Sequence, residues 1–337
     1  MSAIFVTGGA GFIGSNFIRY WLDRYPGDRV INYDLLTYAG NLDSLKDVAE
    51  KEASRYLFVR GDIGNYDLAY HVLQQEKPDY IVNFAAESHN SRAIVDPASF
   101  YRTNVLGTQS LLQAARDAGV PRFHHISTCE VYGDLALDSD ELFTEASPYR
   151  PRTPYNASKA AADLAVRAYV ETFHLPATIS NCSNNYGPYQ FPEKVIPHFA
   201  IRALRGEKLP LYKSSGNRRE WLHVDDHCRA IDMILKQGRL GETYNVGSGL
   251  ELDVEAIANA VLTTLGLGQD RKTYVEDRPG HDRRYLLDST KLRTELGWAP
   301  RVPLEQGLRD TVLWYKANPQ WWQPLLPRLG IDESKWR

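Results

Sequence analysis

AIFVTGGAGFIG, residues 3–14, joins a short apolar strand to a glycine-rich turn and then to a segment with helical spacing. Glycines at 8, 11 and 14 permit a tight turn, close approach of the backbone to a pyrophosphate, and close packing of the helix on a sheet. The N-terminus of the helix adds the positive end of its dipole. The stretch therefore predicts a dinucleotide site whose first contacts are Gly8, Gly11, Phe12, Ile13 and Gly14.

Asp34 ends the second predicted strand, roughly 20 residues after the turn, at the distance expected for a ribose-binding carboxylate. Such a carboxylate accepts hydrogen bonds from both ribose hydroxyls and repels a 2′-phosphate. NAD is therefore the predicted cofactor, in preference to NADP. The loops after the third and fourth strands lie where they would line the same cofactor, through Asp62, Ile63, Ala85 and Ala86.

Short apolar runs alternate with helical patterns through the first half of the chain, which is typical of a parallel sheet wrapped by helices. The predicted strands are residues 3–7, 30–33, 56–59, 80–84, 123–127 and 177–180, with a late strand at 243–246. The predicted helices are residues 111–118, 157–173, 224–235, 255–265 and 304–315. Trp321 and Trp322 are interpreted as residues that dock the tail onto the protein.

The predicted fold class is α/β, a Rossmann-like doubly wound parallel sheet with a smaller, interleaved C-terminal substrate-binding lobe. Prolines after about residue 181 break the pattern into loops and short elements, whereas the late strand can return to the sheet. The division expected is residues 1–183 plus about 220–246 for the NAD-binding domain, and 184–219 plus 247–337 for the second lobe.

Composition excludes several classes of partner. The net charge is −3 and the basic residues are scattered, so neither nucleic acid nor a membrane surface is an expected partner. The chain lacks an apolar run of roughly 20 residues, and its start lacks a signal-peptide pattern, so a cytoplasmic location is expected. Three widely spaced cysteines suggest neither disulfides nor zinc, and Cys182 and Cys228 are interpreted as packing residues.

Tyr155 and Lys159 are four residues apart in a helical segment, so both side chains face the same way. An ammonium beside a phenol lowers the phenol pKa from about 10, which would make Tyr155 a base at neutral pH. Ser127-Thr128 end the fifth strand and can supply hydroxyl donors. In a nucleotide-binding fold, this constellation predicts hydride transfer to and from a bound sugar.

The glycine turn, the Tyr155–Lys159 pair and the hydroxyl residue before them resemble the extended short-chain dehydrogenase/reductase family. Within it, four longer strings are similar to those of the dTDP-glucose 4,6-dehydratase family, and the resemblance covers nearly the whole chain. They are YDLLTYAGN at 33–41, AAESH at 85–89, NNYGPYQFPEK at 184–194 and DRPGHDRRY at 277–285. The resemblance also implies cofactor contacts at Leu35, Thr37, Ser88, Thr103, Tyr155, Lys159 and Asn185.

The resemblance implies a three-stage dehydration of dTDP-glucose in which NAD is used and regenerated. Tyr155 takes the 4-hydroxyl proton while NAD takes hydride from C4, and Thr128 steadies the oxygen. Glu130 then takes the C5 proton while the neighbouring Cys129 protonates the leaving 6-hydroxyl. NADH finally returns hydride to C6 and C5 is reprotonated, which yields dTDP-4-keto-6-deoxyglucose.

Two positions depart from the family's usual pattern. Cys129 stands where members carry Asp, and a thiol with a pKa of about 8.5 is mostly protonated at neutral pH and can act as an altered acid. The alternative is that Cys129 fills space and that water or Glu130 protonates the leaving group. Asn90-Ser91 replaces the usual Val-Asp in a loop near the active site, so the substrate or rate can differ.

Other functions remain open on the sequence. Cysteine at position 129 is similar to enzymes that perform 5,6-dehydration of a UDP-N-acetylhexosamine, where hydride returns to C4 and leaves an exocyclic alkene. An NDP-sugar 4-epimerase or decarboxylase shares the fold, although Glu130 favours elimination. A non-catalytic NAD-binding regulator is a different class, but such proteins often lose the catalytic Tyr or Lys, and this chain has both.

The resemblance also implies a nucleoside-diphosphate sugar in the second lobe, with cationic side chains near its diphosphate. A homodimer is expected through the helices around Leu111 and Ala160. No metal is expected, because the segment with His223 and His227 is interpreted as a helix start capped by Asp residues. The expected substrate contacts are Ser88, Thr128, Asn184, Lys194, Val195, Pro210, Tyr212, Arg219, Asn245, Arg278, His281 and Tyr285.

Overall fold

The computed structural model describes residues 2–277 and 280–330, and its strands form three sheets. In chain order the strands are β1 Ala3–Thr7, β2 Arg29–Asp34, β3 Tyr56–Arg60, β4 Tyr80–Asn83, β5 Phe123–Thr128, β6 Ala177–Cys182, β7 Asn184–Tyr186, β8 Leu209–Tyr212, β9 Arg218–His223, β10 Thr243–Val246, β11 Glu251–Asp253, β12 Lys272–Val275 and β13 Arg284–Tyr285.

The helices pack on both faces of the first sheet and around the second lobe. They are α1 Phe12–Arg24, α2 Lys46–Lys51, α3 Tyr66–Glu76, α4 Asn90–Val95, α5 Pro97–Phe100, a π-helix Tyr101–Gly107, α6 Thr108–Asp117, α7 Pro154–Phe173, α8 Val195–Leu204, α9 Val224–Gln237, α10 Val254–Thr264, α11 Thr290–Leu296, α12 Leu304–Ala317 and α13 Pro319–Trp322. The five predicted helices are thus confirmed, with small shifts at their ends.

The central sheet is fully parallel and has the order β10-β6-β5-β4-β1-β2-β3. This confirms the predicted fold class and the return of the late strand. Strand order reverses beside β1, which pairs with β2 on one side and β4 on the other. In doubly wound sheets the crevice at such a reversal, at the carboxyl ends of the strands, is where ligands bind.

Apolar side chains cover both faces of this sheet because its strands are buried between helices. On one face, Trp21 of α1 and Ile231 of α9 share a buried cluster with Val6 of β1. On the other, Leu111 of α6 and Val166 of α7 are buried in a second cluster. The two helical layers therefore hold the carboxyl ends of the strands, and the loops that follow them, in place.

The second lobe contains the two smaller sheets and the helices packed around them. One sheet joins β7, β9, β11 and β13, and the other pairs β8 with β12. Helices α8, α10 and α12 pack there in a buried apolar cluster. Trp321 and Trp322 belong to that cluster, and their indole nitrogens donate to Ser44 Oγ at 3.2 Å and Tyr315 O at 2.8 Å. Their predicted docking role is confirmed.

The chain passes between the lobes more than once. It leaves the central sheet after β6, forms β7 to β9 in the second lobe, and returns for α9 and β10. Strand β9 belongs wholly to the second lobe, so a boundary at about 220 would cut it. We propose the predicted division of the chain, with the return to the NAD-binding domain placed at Val224.

Across residues 2–277 and 280–330, every helix is too short or too polar to span a bilayer.

Glu220 is a buried carboxylate that holds two loops of the second lobe, accepting from the backbone N–H groups of Gly249 at 2.6 Å and Leu287 at 3.1 Å. Burial raises its pKa from 4.5 to about 7. The protonated form is therefore favoured in the folded state, so its contribution to stability is complete below about pH 4.5 and is lost as pH rises through about 7.

We expect the free energy of unfolding of the wild type, relative to Glu220→Gln, to fall by on the order of 3 kcal/mol across that window. Glutamine does not titrate, so the comparison isolates this one carboxyl. Urea unfolding of both proteins at pH 5 and pH 8 measures the difference. An equal difference at the two pH values would contradict the assignment.

Candidate active site

A cavity of about 1280 Å³ lies at the carboxyl ends of the central strands and extends to the second lobe. This volume exceeds the roughly 300–1,000 Å³ that is usual for one drug-sized ligand. Among the described residues, its walls contain every predicted cofactor contact and every predicted substrate contact except Asn245. The cavity thus has room for a dinucleotide beside a second ligand.

The glycine turn forms one end of the cavity. Gly8 has φ +66°, and a Cβ there would lie 2.7 Å from Ala85 N, so a larger residue would collide with the neighbouring strand end. Gly11 precedes α1 without a side-chain cap, and a Cβ on it would meet only Gly8 O, at 3.2 Å. The first amides of α1 and the space over Gly11 form a cradle that suits a pyrophosphate.

Asp34 is held in place by two backbone amides. Its Oδ2 accepts from Ala10 N at 2.9 Å, and its Oδ1 accepts from Leu36 N at 2.7 Å. Burial raises the pKa of the carboxyl, while both amide hydrogen bonds oppose that change. The side chain lines the cavity beside the glycine turn, which is the position that a ribose-binding carboxylate needs.

Tyr155 and Lys159 lie one turn apart at the start of α7, and both line the cavity. Lys159 Nζ donates to Ile126 O at 2.6 Å. The pKa of the Tyr155 phenol is well above its ordinary value because of burial and the nearby Glu130, although a hydrogen bond with Thr128 opposes the rise. Burial likewise lowers the pKa of Lys159.

The direction of the phenol pKa is therefore opposite to the prediction that Lys159 brings it below 10. Desolvation disfavours the charged forms of both groups, and it is the largest effect on each.

An unpredicted cluster of buried polar side chains lies behind Lys159. Lys159 Nζ is 3.5 Å from His125 Nε2, and His125 Nε2 is 3.4 Å from Asp163 Oδ1. The other oxygen of Asp163 accepts from Ser127 Oγ at 2.7 Å and Tyr149 OH at 2.9 Å. The sequence held one signal for it, because Asp163 follows Lys159 by one helical turn and faces the same side.

Glu130 faces the cavity, whereas its neighbour Cys129 does not. The Cys129 side chain is fully buried in an apolar cluster with Val131 and Tyr285, and burial raises the pKa of its thiol well above the usual value. The expected acid is thus separated from the cavity, because apolar neighbours enclose it. The structure argues against the expectation that Cys129 protonates the leaving group.

Cys182 is buried in an apolar cluster, which confirms its interpretation as a packing residue. One side of it also lines the cavity, and its thiol donates to Ser127 O at 3.4 Å. Burial raises the pKa of this thiol to about 12. The residue is therefore a neutral part of the cavity wall at physiological pH.

The predicted substrate residues form the wall contributed by the second lobe and the loop after β4. Lys194 Nζ donates to Ser88 O at 2.9 Å, and the guanidinium of Arg219 lies over the Tyr285 ring at 4.8 Å. Tyr285 OH donates to Asn184 Oδ1 at 2.5 Å. Two cationic side chains thus reach a largely buried wall, which suits an anionic ligand.

One expected substrate contact among the described residues is not found there. Asn245 is fully buried away from the cavity, where its amide donates to Phe143 O at 2.9 Å and accepts from Tyr132 OH at 2.8 Å. Its role is to tie β10 to a neighbouring loop, so the expectation for it was wrong. Arg278 lies outside the described residues.

The helix start after β9 also differs in detail from the prediction. The side chain that caps α9 belongs to His223, which accepts from Asp225 N at 3.3 Å, and the capping residue is not an aspartate. His227 is buried with its Nδ1 2.9 Å from Asn185 Oδ1. Among the described residues no group of three or more His, Cys, Asp or Glu side chains is arranged to hold a metal ion.

A second unpredicted cluster borders the cavity at Glu193. Its carboxylate accepts from Tyr38 OH at 2.8 Å and lies 3.3 Å from Arg92 Nε, and the Arg92 guanidinium lies 3.7 Å above the Tyr38 ring. Tyr38 and Glu193 are 155 residues apart in sequence. Both occur in the strings at 33–41 and 184–194, but only the fold brings them together.

Comparison with known proteins agrees with this geometry. The family model described as GDP-mannose 4,6 dehydratase matches residues 5–311. A dTDP-glucose 4,6-dehydratase of Xanthomonas campestris pv. campestris is 48% identical over 344 residues, covering 97% of this chain and 96% of the relative. The chain belongs to the dTDP-glucose 4,6-dehydratase family. A further member, from Streptomyces niveus, is 49% identical and covers 96% of this chain and 95% of its own length.

Solved structures of the family superpose closely on this chain. A dTDP-glucose 4,6-dehydratase from Streptomyces venezuelae, solved with NAD bound, has a TM-score of 0.92 and 49% identity, covering 96% of this chain and 99% of that one. The enzyme from Bacillus anthracis in complex with NAD has a TM-score of 0.89 and 46% identity, covering 96% and 100%. More distantly, a UDP-glucose 4-epimerase from Thermotoga maritima with UDP-glucose has a TM-score of 0.86 and 28% identity, covering 94% and 99%.

Proposed function

We propose that this chain catalyses the NAD-dependent dehydration of dTDP-glucose to dTDP-4-keto-6-deoxyglucose, by C4 oxidation, loss of water across C5 and C6, and return of hydride to C6 with protonation of C5 by solvent. The observation that carries the proposal is the presence of Thr128, Glu130, Tyr155 and Lys159 on the wall of one cavity that also contains the glycine turn. Relatives that align over nearly the full chain carry this activity in their names.

The residues at the glycine turn fit NAD. A cradle over Gly11, the uncapped amides of α1 and the fixed Asp34 carboxylate match a pyrophosphate and a ribose with free hydroxyls. When bound, NAD would supply the oxidant for C4, a positively charged ring near the phenol, and the reductant for C6. Lys159, held by Ile126 O, would complete that region of the wall.

Tyr155 is the proposed base for the 4-hydroxyl proton. Thr128 hydrogen-bonds to the phenol, and it can steady the same substrate oxygen as the proton leaves. Contacts of Nζ with Ile126 O and with His125, which in turn lies against Asp163, hold the Lys159 side chain in place. These residues account for the first stage.

Glu130 is the proposed base for C5. Once C4 is a ketone, the C5 proton is acidic, and the carboxylate can remove it as the C6–O bond breaks. The C5=C6 double bond forms, and the departing hydroxyl takes a proton to leave as water. Because Cys129 is enclosed, we propose that the protonated Glu130 returns this proton.

The cationic wall is the proposed site of the nucleoside diphosphate. Lys194 and Arg219 would face its phosphates, and Tyr212, whose ring is 5.3 Å from that of His281, would stack on the base. The remaining proposed contacts line the same wall and are Ser88, Asn184, Val195, Pro210 and Tyr285.

Incubation of the purified chain with NAD and either dTDP-glucose or a UDP-N-acetylhexosamine tests the proposal. We expect a product that is 18 mass units lighter than dTDP-glucose and absorbs in alkali as a 4-keto sugar. An exocyclic alkene from the UDP sugar would instead establish 5,6-dehydration. A product of unchanged mass would indicate an epimerase, and NAD binding without turnover of either sugar would indicate a regulator.

Replacement of Cys129 tests the assignment of the acid. Cys129→Ala is expected to keep product formation within roughly threefold of the wild type, because the thiol does not reach the cavity. The measurement is steady-state turnover of dTDP-glucose together with the absorbance of reduced cofactor. Slowed water loss with accumulating NADH would show that the thiol protonates the leaving group after all.

We propose a homodimer formed by the outer faces of the π-helix and α7. Leu111 and Ala160 point inward and are buried, whereas Leu106 and Leu164 on the outer faces are 62% and 57% exposed. Exposed leucines on adjacent helices favour pairing with a second copy.

The double variant Leu106→Lys, Leu164→Lys is expected to raise the dimer dissociation constant at least about 100-fold, since it places charges in a buried contact. Sedimentation of both proteins measures the change. Leu240→Lys, which alters another exposed leucine, is the matched control. A wild type that sediments as a monomer would refute the proposal.

A further inference from the structure

We propose that Asn90 is a positioning residue for Glu130, which its amide holds in place for removal of the C5 proton. This inference rests on the proposed function, because it assigns a role within the elimination stage. Asn90 is one of the two departures from the usual family pattern, and it lines the cavity beside Glu130. Its backbone opens α4, and its side chain reaches across to two other elements.

A short chain of hydrogen bonds joins these elements. Asn90 Nδ2 donates to Glu130 Oε2 at 2.9 Å, and Asn90 Oδ1 accepts from Thr153 Oγ1 at 2.7 Å. Thr153 is the N-cap of α7, where its hydroxyl also accepts from Asn156 N at 3.2 Å. One amide therefore connects the carboxylate to the start of the helix that carries the Tyr155 phenol.

Glu130 fixes which way the amide points. A carboxylate oxygen accepts, so the Asn90 NH₂ faces Glu130 Oε2 and the Asn90 Oδ1 faces Thr153. The Thr153 hydroxyl, which accepts from Asn156 N, then donates its one proton to Asn90 Oδ1. The reverse orientation would place the Asn90 Oδ1 against the carboxylate oxygen.

This arrangement separates the two chemical stages. Glu130 acts on C5, whereas Tyr155 acts on C4, and Asn90 touches the carboxylate but not the phenol. Removing the amide leaves the Glu130 side chain free to rotate away from C5, which slows proton removal. Oxidation at C4 depends on Tyr155, Thr128 and Lys159, so it continues.

Asn90→Val and Asn90→Asp test the role in full-length protein with NAD bound. For Asn90→Val we expect C5 exchange with deuterated water to slow by about 10- to 100-fold, the usual effect of losing one hydrogen bond to a charged group. The rate of C4 oxidation in a single turnover should stay within about threefold. Asn90→Asp should slow exchange further, because a second carboxylate repels Glu130.

Thr153 gives an independent test of the amide orientation. Thr153→Ser keeps both the helix cap and the hydroxyl, and it should behave as the wild type. Thr153→Val removes the hydroxyl that holds Asn90 Oδ1, and it should reproduce part of the loss in C5 exchange. Thermal unfolding of each variant identifies any loss that comes from an unstable fold.

A double-mutant cycle decides whether Asn90 acts through Glu130. In a Glu130→Gln background, Asn90→Val should cause no further loss of C5 exchange, because the group it positions has lost its charge. Wild-type exchange in Asn90→Val, or equal losses at C4 and C5, would overturn the inference. A wild type that forms no 4-keto product would instead refute the proposed function.

Discussion

Tyr155→Phe is expected to lower the rate of product formation by about 10³-fold, the middle of the range for losing one general base. The variant keeps the ring, which packs against Phe100 with centroids 6.2 Å apart, and loses only the oxygen that takes the 4-hydroxyl proton. Cofactor affinity should change little, since the cradle at the glycine turn is distant in sequence and intact. Single-turnover formation of reduced cofactor from dTDP-glucose measures the effect.

Tyr244→Phe is the matched control for this experiment. Its ring is buried in β10, and its hydroxyl donates to Glu295 at 2.9 Å, away from the cavity. The control should turn over like the wild type. If Tyr155→Phe retained most of its activity, the phenol could not be the base, and the assignment of the first stage would fail.

Glu130→Gln should stop the reaction after C4 oxidation. Product formation is expected to fall by about 10²- to 10³-fold, because an amide cannot take the C5 proton. The first stage should continue, since the charge of Glu130 is one cause of the raised Tyr155 pKa and its removal eases deprotonation of the phenol. Reduced cofactor should therefore accumulate in the presence of dTDP-glucose.

Glu171→Gln, on the exposed side of α7, controls for the loss of one carboxylate. Absorbance of the reduced nicotinamide and deuterium uptake at C5 distinguish the stages. Equal loss of C4 oxidation and of product would show that Glu130 serves substrate binding or the fold. Full activity would remove it from the mechanism altogether.

Local patterns predicted much of the architecture. The glycine turn before α1 and the apolar runs of β1 to β6 are short-range signals, because strand burial and tight turns impose residue types on neighbouring positions. The Tyr155–Lys159 pair was also visible, since helical geometry places residues four apart on one face. These features can be predicted without knowing which distant segments of the chain are in contact.

The remaining features depend on contacts between distant segments. Asn90 and Glu130 are 40 residues apart, so no local pattern could pair them. The enclosure of Cys129 follows from β13, which supplies Tyr285 to the same cluster. The raised pKa of the phenol likewise reflects how deeply α7 is buried, and spacing along a helix carries no information about desolvation.

Because β10 pairs with β6 only after the chain has built β7 to β9, the nucleotide domain is not a continuous segment of the gene. Exchange of the second lobe as one continuous segment starting at β7 would therefore carry β10 with it and remove the edge strand of the central sheet.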